Sequence, residues 1–197
     1  MYDKKFCIET EGYLKINDNF GYAAYEATPY SVLEKLGRCY PFQKEDCFVD
    51  FGCGLGRVIC FVANSGCNNV IGIEVNTALF KLLRKNVKSS GLSKRISIYH
   101  QKAEKAFIPP EVNKCFFYNP FYLKYFIKVY NNLINYSNSE TILLFLYDAA
   151  KEYIAFLESK VNVILEACID CGTKCGNLYV YRVNNKNGIT SHRNNSK

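Results

Sequence analysis

Asp50, Gly52, Gly54, Gly56 and Glu74 are residues of the right types, at the right spacing, to hold a nucleoside. They lie in the run Val49-Asp50-Phe51-Gly52-Cys53-Gly54-Leu55-Gly56, followed eighteen residues later by Glu74 in Val70-Ile71-Gly72-Ile73-Glu74. That is a short apolar run, a glycine turn, a second apolar run and a carboxylate at its end. Glycines let the backbone pass close to a ligand and adopt angles that other residues avoid. A helix starting after Gly56 aims its unpaired amides at an anion. Glu74 can accept hydrogen bonds from both hydroxyls of a ribose. The dinucleotide fingerprint G-x-G-x-x-G, counted from Gly52, requires its third glycine at position 57, which is arginine. Asp50 ahead of the turn would repel a pyrophosphate and attract an ammonium group.

The pattern D-x-G-x-G-x-G with a distal glutamate resembles the class I methyltransferases that use S-adenosylmethionine (SAM). The resemblance implies that cofactor and places it against Tyr25, Thr28, Asp50, Gly52, Cys53, Gly54, Gly56, Glu74, Val75, Ala103 and Asn119. A second motif, Asn119-Pro120-Phe121-Tyr122, resembles the Asn-Pro-Pro-Tyr motif of methyltransferases that modify planar amino groups. By that resemblance the Asn119 oxygen and the Pro120 carbonyl accept hydrogen bonds from the attacking –NH₂. Phe121 or Tyr122 packs on its plane. Phe121 stands where the motif has its second proline. Tyr25-Glu26-Ala27-Thr28-Pro29-Tyr30 resembles the segment ahead of the cofactor turn in the non-SET histone-lysine methyltransferases, where a loop closes over SAM. Small bacterial methyltransferases of unassigned substrate are similar here too. The expected activity is therefore methyl transfer from SAM to a nitrogen of an RNA base, a protein side chain or a small amine. The rival readings are a SAM- or nucleotide-binding module without catalysis and an RNA-binding protein.

The elements that must position these residues alternate. Apolar runs at Cys47–Phe51, Asn69–Glu74, Ile96–His100, Cys115–Tyr118 and Thr141–Tyr147 read as strands buried on both faces of a parallel sheet. Helices are expected at Arg57–Asn64, Thr77–Ser90, Tyr122–Asn135 and Ala149–Glu158. Such alternation predicts a doubly wound α/β fold. Val161–Ala167 and Leu178–Val183 are joined by too short a turn for a parallel crossover, so an antiparallel C-terminal hairpin should complete a mostly parallel seven-stranded sheet. Residues 1–46 read as an N-terminal helical and aromatic extension that could serve as a lid. Its helix is expected to be capped by Thr28, with Pro29 at the first helical position. Residues 47–183 form the expected SAM-binding domain, and the polar stretch 184–197 is expected to be disordered.

A chain of 197 residues, nearly half of them apolar, is long enough to bury a full core. No run reaches the roughly eighteen apolar residues of a membrane helix and no signal-peptide pattern begins the chain, so a cytoplasmic protein is expected. The ten cysteines are scattered, several within apolar runs, as buried reduced thiols would be. Cys168, Cys171 and Cys175 are close enough to begin a metal site, but no fourth ligand is evident beyond His192 or another cysteine, and no metal is expected. The net charge of +7 is concentrated between Lys81 and Lys105, where eight basic residues meet one acid, Glu104. That stretch could contact nucleic acid, although Lys81, Arg84, Lys85 and Lys88 share one helical face that solvent alone would satisfy. His100 is expected to be structural, leaving no catalytic histidine.

Overall fold

The computed structural model describes residues 2–14, 21–172 and 176–185. In chain order the elements are α1 (Tyr2–Phe6), β1 (Tyr13–Leu14), β2 (Tyr25–Glu26), α2 (Tyr30–Cys39), β3 (Cys47–Phe51), α3 (Arg57–Asn64), β4 (Asn69–Glu74), α4 (Thr77–Ser89) and β5 (Ile96–His100). They continue through β6 (Lys114–Phe117), α5 (Leu123–Tyr136), β7 (Thr141–Tyr147), α6 (Lys151–Glu158), β8 (Val163–Asp170) and β9 (Asn177–Asn184). A seven-stranded sheet runs in the order β5-β4-β3-β6-β7-β9-β8, and β1 and β2 form a separate antiparallel pair. The first five strands of that order are parallel, and β9 and β8 pair antiparallel beyond β7. This is the doubly wound sheet with an antiparallel C-terminal hairpin that the alternating pattern predicts.

Strand residues alternate between two cores. Phe48, Phe116, Phe145 and Tyr147 face the side covered by α2, α3 and α4, where they meet Leu33, Leu36, Ile59 and Leu83. Val49, Phe51, Phe117, Leu144 and Leu146 face α5 and α6, meeting Phe126, Leu133 and Tyr153. Burial on both faces is why these strands are continuous apolar runs. The order reverses between β3 and β6, so a crevice opens at the carboxyl ends of β3, β4, β6 and β7.

The N-terminal region differs from expectation in two ways. Helix α1 and the β1–β2 pair were not foreseen. Helix α2 begins at Tyr30 with Pro29 as its N-cap in an extended conformation (ψ 138°), and no side chain caps it. Thr28 therefore does not cap this helix; its backbone carbonyl is used elsewhere. Among the described residues no helix is long and apolar enough to cross a membrane. The described cysteines are free thiols. Burial pushes Cys47 and Cys60 up to about 12, which keeps them protonated packing groups. Cys168 is exposed and Cys171 buried; Cys175, His192 and the stretch 186–197 lie outside the described residues. His100 stacks on Phe80 at 4.8 Å and its ring nitrogen is 3.0 Å from the Val75 carbonyl, a structural placement.

Candidate active site

The turn after β3 is fastened to β4. Gly52 and Cys53 donate their N–H groups to the Ile73 carbonyl at 2.9 and 3.0 Å. Glu74, buried at the end of β4, accepts from Gly54 N–H at 3.0 Å through one oxygen and from Asn76 N–H at 2.7 Å through the other. The carboxylate is thereby aimed before any ligand arrives. Gly54 has φ 54°, and a Cβ there would lie 2.3 Å from the Tyr25 ring. Gly52, at φ 84°, would place a Cβ 2.6 Å from Pro120. These two glycines let the turn touch both the N-terminal segment and the Asn119-Pro120 turn. Gly54→Ala should cost about 1–3 kcal/mol through backbone strain and the Tyr25 clash. A thermal melt should show a loss of several degrees, and an unchanged midpoint would contradict this packing.

Beside the turn is a cavity of about 710 Å³. Asp50 lines it, only 3% exposed, with no side-chain hydrogen bond to the described residues; its carboxylate opens onto the cavity, since no fully buried side-chain oxygen among the described residues is left without a partner. Burial first, and the Glu74 charge second, hold its carboxyl well above the ordinary aspartate range. Glu74 is raised too, chiefly by burial, with its backbone donors opposing the shift. A buried carboxylate without a partner is costly unless a cation comes to it. Helix α3 starts at the same wall: its N-cap, Gly56, offers no side chain, and Arg57 and Val58 line the cavity. By charge and hydrogen-bonding capacity, Asp50 could receive an ammonium, the helix N-terminus a carboxylate and Glu74 a diol. Every residue expected at the cofactor lines the cavity except Gly56, which sets the start of α3 from behind.

The N-terminal segment forms one wall, and Arg57 holds it there. Only 6% exposed, Arg57 donates from Nε to Thr10 Oγ1 at 2.7 Å, from Nη2 to Glu11 at 2.6 Å and from Nη1 to the Thr28 carbonyl at 3.3 Å. Asp3 is 3.7 Å away and the Tyr30 ring lies 4.6 Å beneath the guanidinium. Asp3 in turn accepts from Thr10 N–H at 2.8 Å and from the Tyr30 hydroxyl. Tyr25 lies over Gly54 and donates its hydroxyl to the Thr10 carbonyl at 2.6 Å. Asn86 of α4 donates to the carbonyls of both Glu9 and Leu55 at 2.9 Å. Arg57 was not singled out from sequence. Its signal was there: one cation opening a helix, Arg-Val-Ile-Cys-Phe-Val-Ala-Asn, that offers no acid to pair with it.

Of the Asn119–Tyr122 turn, Asn119, Pro120 and Phe121 line the cavity and Tyr122 does not. The Asn119 oxygen accepts from Ala150 N–H at 2.8 Å, and its amide donates to the Asp148 carbonyl. The Pro120 carbonyl accepts from Ala23 N–H at 3.0 Å, and the Gly21 carbonyl accepts from Tyr122 N–H at 2.9 Å. Residues 21–23 thus lie antiparallel against the turn and occupy one of the two lone pairs of the carbonyl expected to face an incoming amine. Phe121 lines the cavity but is packed into the core, and its carbonyl accepts from the Tyr153 hydroxyl. Tyr122 is 64% exposed and lies outside the cavity as the N-cap of α5. Asn119 acts as a bracket between the ends of β6 and β7, and Tyr122 is a surface residue. Two residues not singled out from the sequence, Tyr118 and Asp148, share this end of the cavity with Glu26 of the segment expected to close over SAM. Burial first, and then the Glu26 charge, raise both the Tyr118 hydroxyl and the Asp148 carboxyl.

A switch-point crevice with a glycine turn, an aimed glutamate and an unpartnered buried aspartate defines a class I SAM-dependent methyltransferase. The family model described as "Histone methylation protein DOT1" matches residues 5–119, and the chain belongs to that family. Among curated proteins no sequence matches. An RNA methyltransferase from Salinibacter ruber, solved with S-adenosyl-L-homocysteine, has a TM-score of 0.65 at 19% identity, covering 80% of this chain and 94% of that one. A dimethyladenosine transferase from Plasmodium falciparum has a TM-score of 0.61 at 14% identity, covering 86% and 67%. An rRNA methylase from Streptococcus thermophilus has a TM-score of 0.59 at 9% identity, covering 82% and 99%. At these identities the likeness is one of fold.

Proposed function

We propose that this methyltransferase acts on an amine nitrogen of a cationic acceptor, a protein side chain or a small amine. The supporting observation is the pair of carboxylates, Glu26 and Asp148, at the end of the cavity beside Tyr118. Carboxylates draw an ammonium and repel a phosphodiester. The family's description as a histone methylation protein accords with a side-chain acceptor.

SAM supplies a methyl group already activated for transfer. Asp50 would hold its ammonium, the first turn of α3 its carboxylate and Glu74 its ribose. Tyr25 and Thr28 close the cofactor end as a lid. The protein's task is alignment and exclusion of water; an effective concentration of ~10⁵ M is worth about 7 kcal/mol without any strong acid or base.

Incubation with methyl-labelled SAM, poly-L-lysine, spermidine and total RNA tests the reading. Label on the amines is expected. Label confined to RNA would overturn it in favour of a second reading, which has its own support: all eight basic residues between Lys81 and Lys105 are exposed, and Lys102 lines the cavity. Binding through that stretch would weaken steeply with salt.

A further inference from the structure

We propose that Asp148 is the catalytic base, taking a proton from the ammonium acceptor drawn in by Glu26. The inference rests on the amine reading above and goes one step further, to the atom that receives the proton.

Asp148 stands just past the carboxyl end of β7, lines the cavity and is half-buried. Its backbone is in the left-handed region, at φ 48°, which a non-glycine residue adopts at a cost. Two hydrogen bonds hold it there. Its N–H donates to the Asn177 carbonyl at 3.0 Å, and its carbonyl accepts from the Asn119 amide. Its carboxylate lies against Gly176, where a Cβ would come within 2.4 Å of Oδ1. The Asn119 bracket therefore couples the turn facing the cofactor to the residue that would accept the proton. An unusual conformation over-determined by its surroundings and facing a cavity is a sign of a working group.

The titratable groups around Asp148 favour this role. Glu26 of β2 and Tyr118, just past the end of β6, line the same cavity, with Tyr147 against Tyr118 at a ring separation of 4.7 Å. Of the cations lining the cavity, Arg57 is already bound to Thr10, Glu11 and Thr28, leaving Lys102. Burial and the Glu26 charge make Asp148 a stronger base than a free aspartate.

The acceptor R–NH₃⁺ gives one proton to the Asp148 carboxylate and becomes R–NH₂. The nitrogen lone pair forms the new N–C bond, the methyl C–S bond breaks, and its electron pair goes to sulfur. The sulfonium becomes a neutral thioether, and the positive charge passes to the methylated nitrogen.

The isosteric Asp148→Asn variant tests the step, with poly-L-lysine and spermidine as probes. SAM affinity by calorimetry should stay within about twofold, because Asp148 lies outside the proposed cofactor contacts. Single-turnover transfer at pH 7 should fall about 100-fold or more. It should recover steadily as pH rises toward 10 and the amine deprotonates unaided, and Asp148→Glu should restore part of the rate. Independently of turnover, the Asp148 carboxyl followed by carbon NMR should titrate above an ordinary aspartate and move down in Glu26→Gln. If wild type methylates either probe and Asp148→Asn keeps both its rate and its pH profile, the base assignment fails while the amine reading stands. If wild type binds SAM but methylates neither amine, both fail.

Discussion

Replacing Asp50 with asparagine is expected to weaken SAM binding about 10- to 100-fold while raising the melting temperature of the ligand-free protein. The first effect is the loss of a charge-assisted contact of about 1.5–3 kcal/mol between a carboxylate and the ammonium of the methionine moiety. The second follows from burial: Asp50 has no hydrogen-bond partner among the described residues and faces the Glu74 charge. Its carboxyl pKa is raised on folding, so the stability it contributes is fully present below the unfolded value, about 4. That contribution is lost as pH rises through the raised folded value. The ligand-free wild type should therefore lose stability relative to Asp50→Asn as pH goes from about 4 toward neutrality. Bound ammonium reverses the penalty, so SAM affinity should rise with pH over the same window in wild type and stay flatter in the variant. Calorimetry and thermal melts across pH 4–8 read both quantities. Equal affinities, or parallel melting curves, would remove Asp50 from the site.

Arg57→Ala should cost about 3–5 kcal/mol, because it strips one partner from a buried charged network and leaves Asp3 and Thr10 inside without it. The Glu11 contact adds little, since that carboxylate is 73% exposed. At about 2–4 °C per kcal/mol for a chain of this size, the melting temperature should fall by about 10 °C. The loss should also be local. The guanidinium ties Thr10, Glu11 and Thr28 to the first residue of α3, and Tyr25 hangs from Thr10 over Gly54. Without it, trypsin should cut more readily at Lys4 and Lys5, and SAM affinity should fall with the loss of the Tyr25 wall. Arg57→Lys, which keeps the charge but not the fork, should recover only part of either property. Unchanged tryptic protection in Arg57→Ala would mean that the segment is held by its apolar contacts alone.

These two residues mark what could and could not be read in the chain. Asp50 was legible because its neighbours are local: a strand, a glycine turn and a helix start encode their geometry within a few residues, and the glutamate follows one strand later. The sheet was legible for the same reason, since runs such as Thr141–Tyr147 are apolar at nearly every position. Arg57 was not, because its partners lie 27 to 54 positions away and belong largely to a segment whose strands are only two residues long. The Asn119-Pro120-Phe121-Tyr122 motif was found, but its hydrogen-bonding state was not: pairing of residues 21–23 with the turn is a tertiary event that the four residues do not encode. Pro29 illustrates a finer failure. Its φ of −58° suits either the first helical position or the residue before it, and only ψ, at 138°, places it outside. Asp148 carried no signal at all, being one aspartate after an apolar strand until the fold brought Glu26 across to it.

One crevice is expected to hold the methyl donor between Asp50 and Glu74. Amide spectra of labelled protein titrated with S-adenosyl-L-homocysteine test it most directly. A one-to-one titration should shift Gly52, Gly54, Glu74 and Tyr25 together, with the edge strand β8 unmoved. Saturating ligand that leaves Gly54 and Glu74 in place, or that shifts residues elsewhere instead, would contradict it.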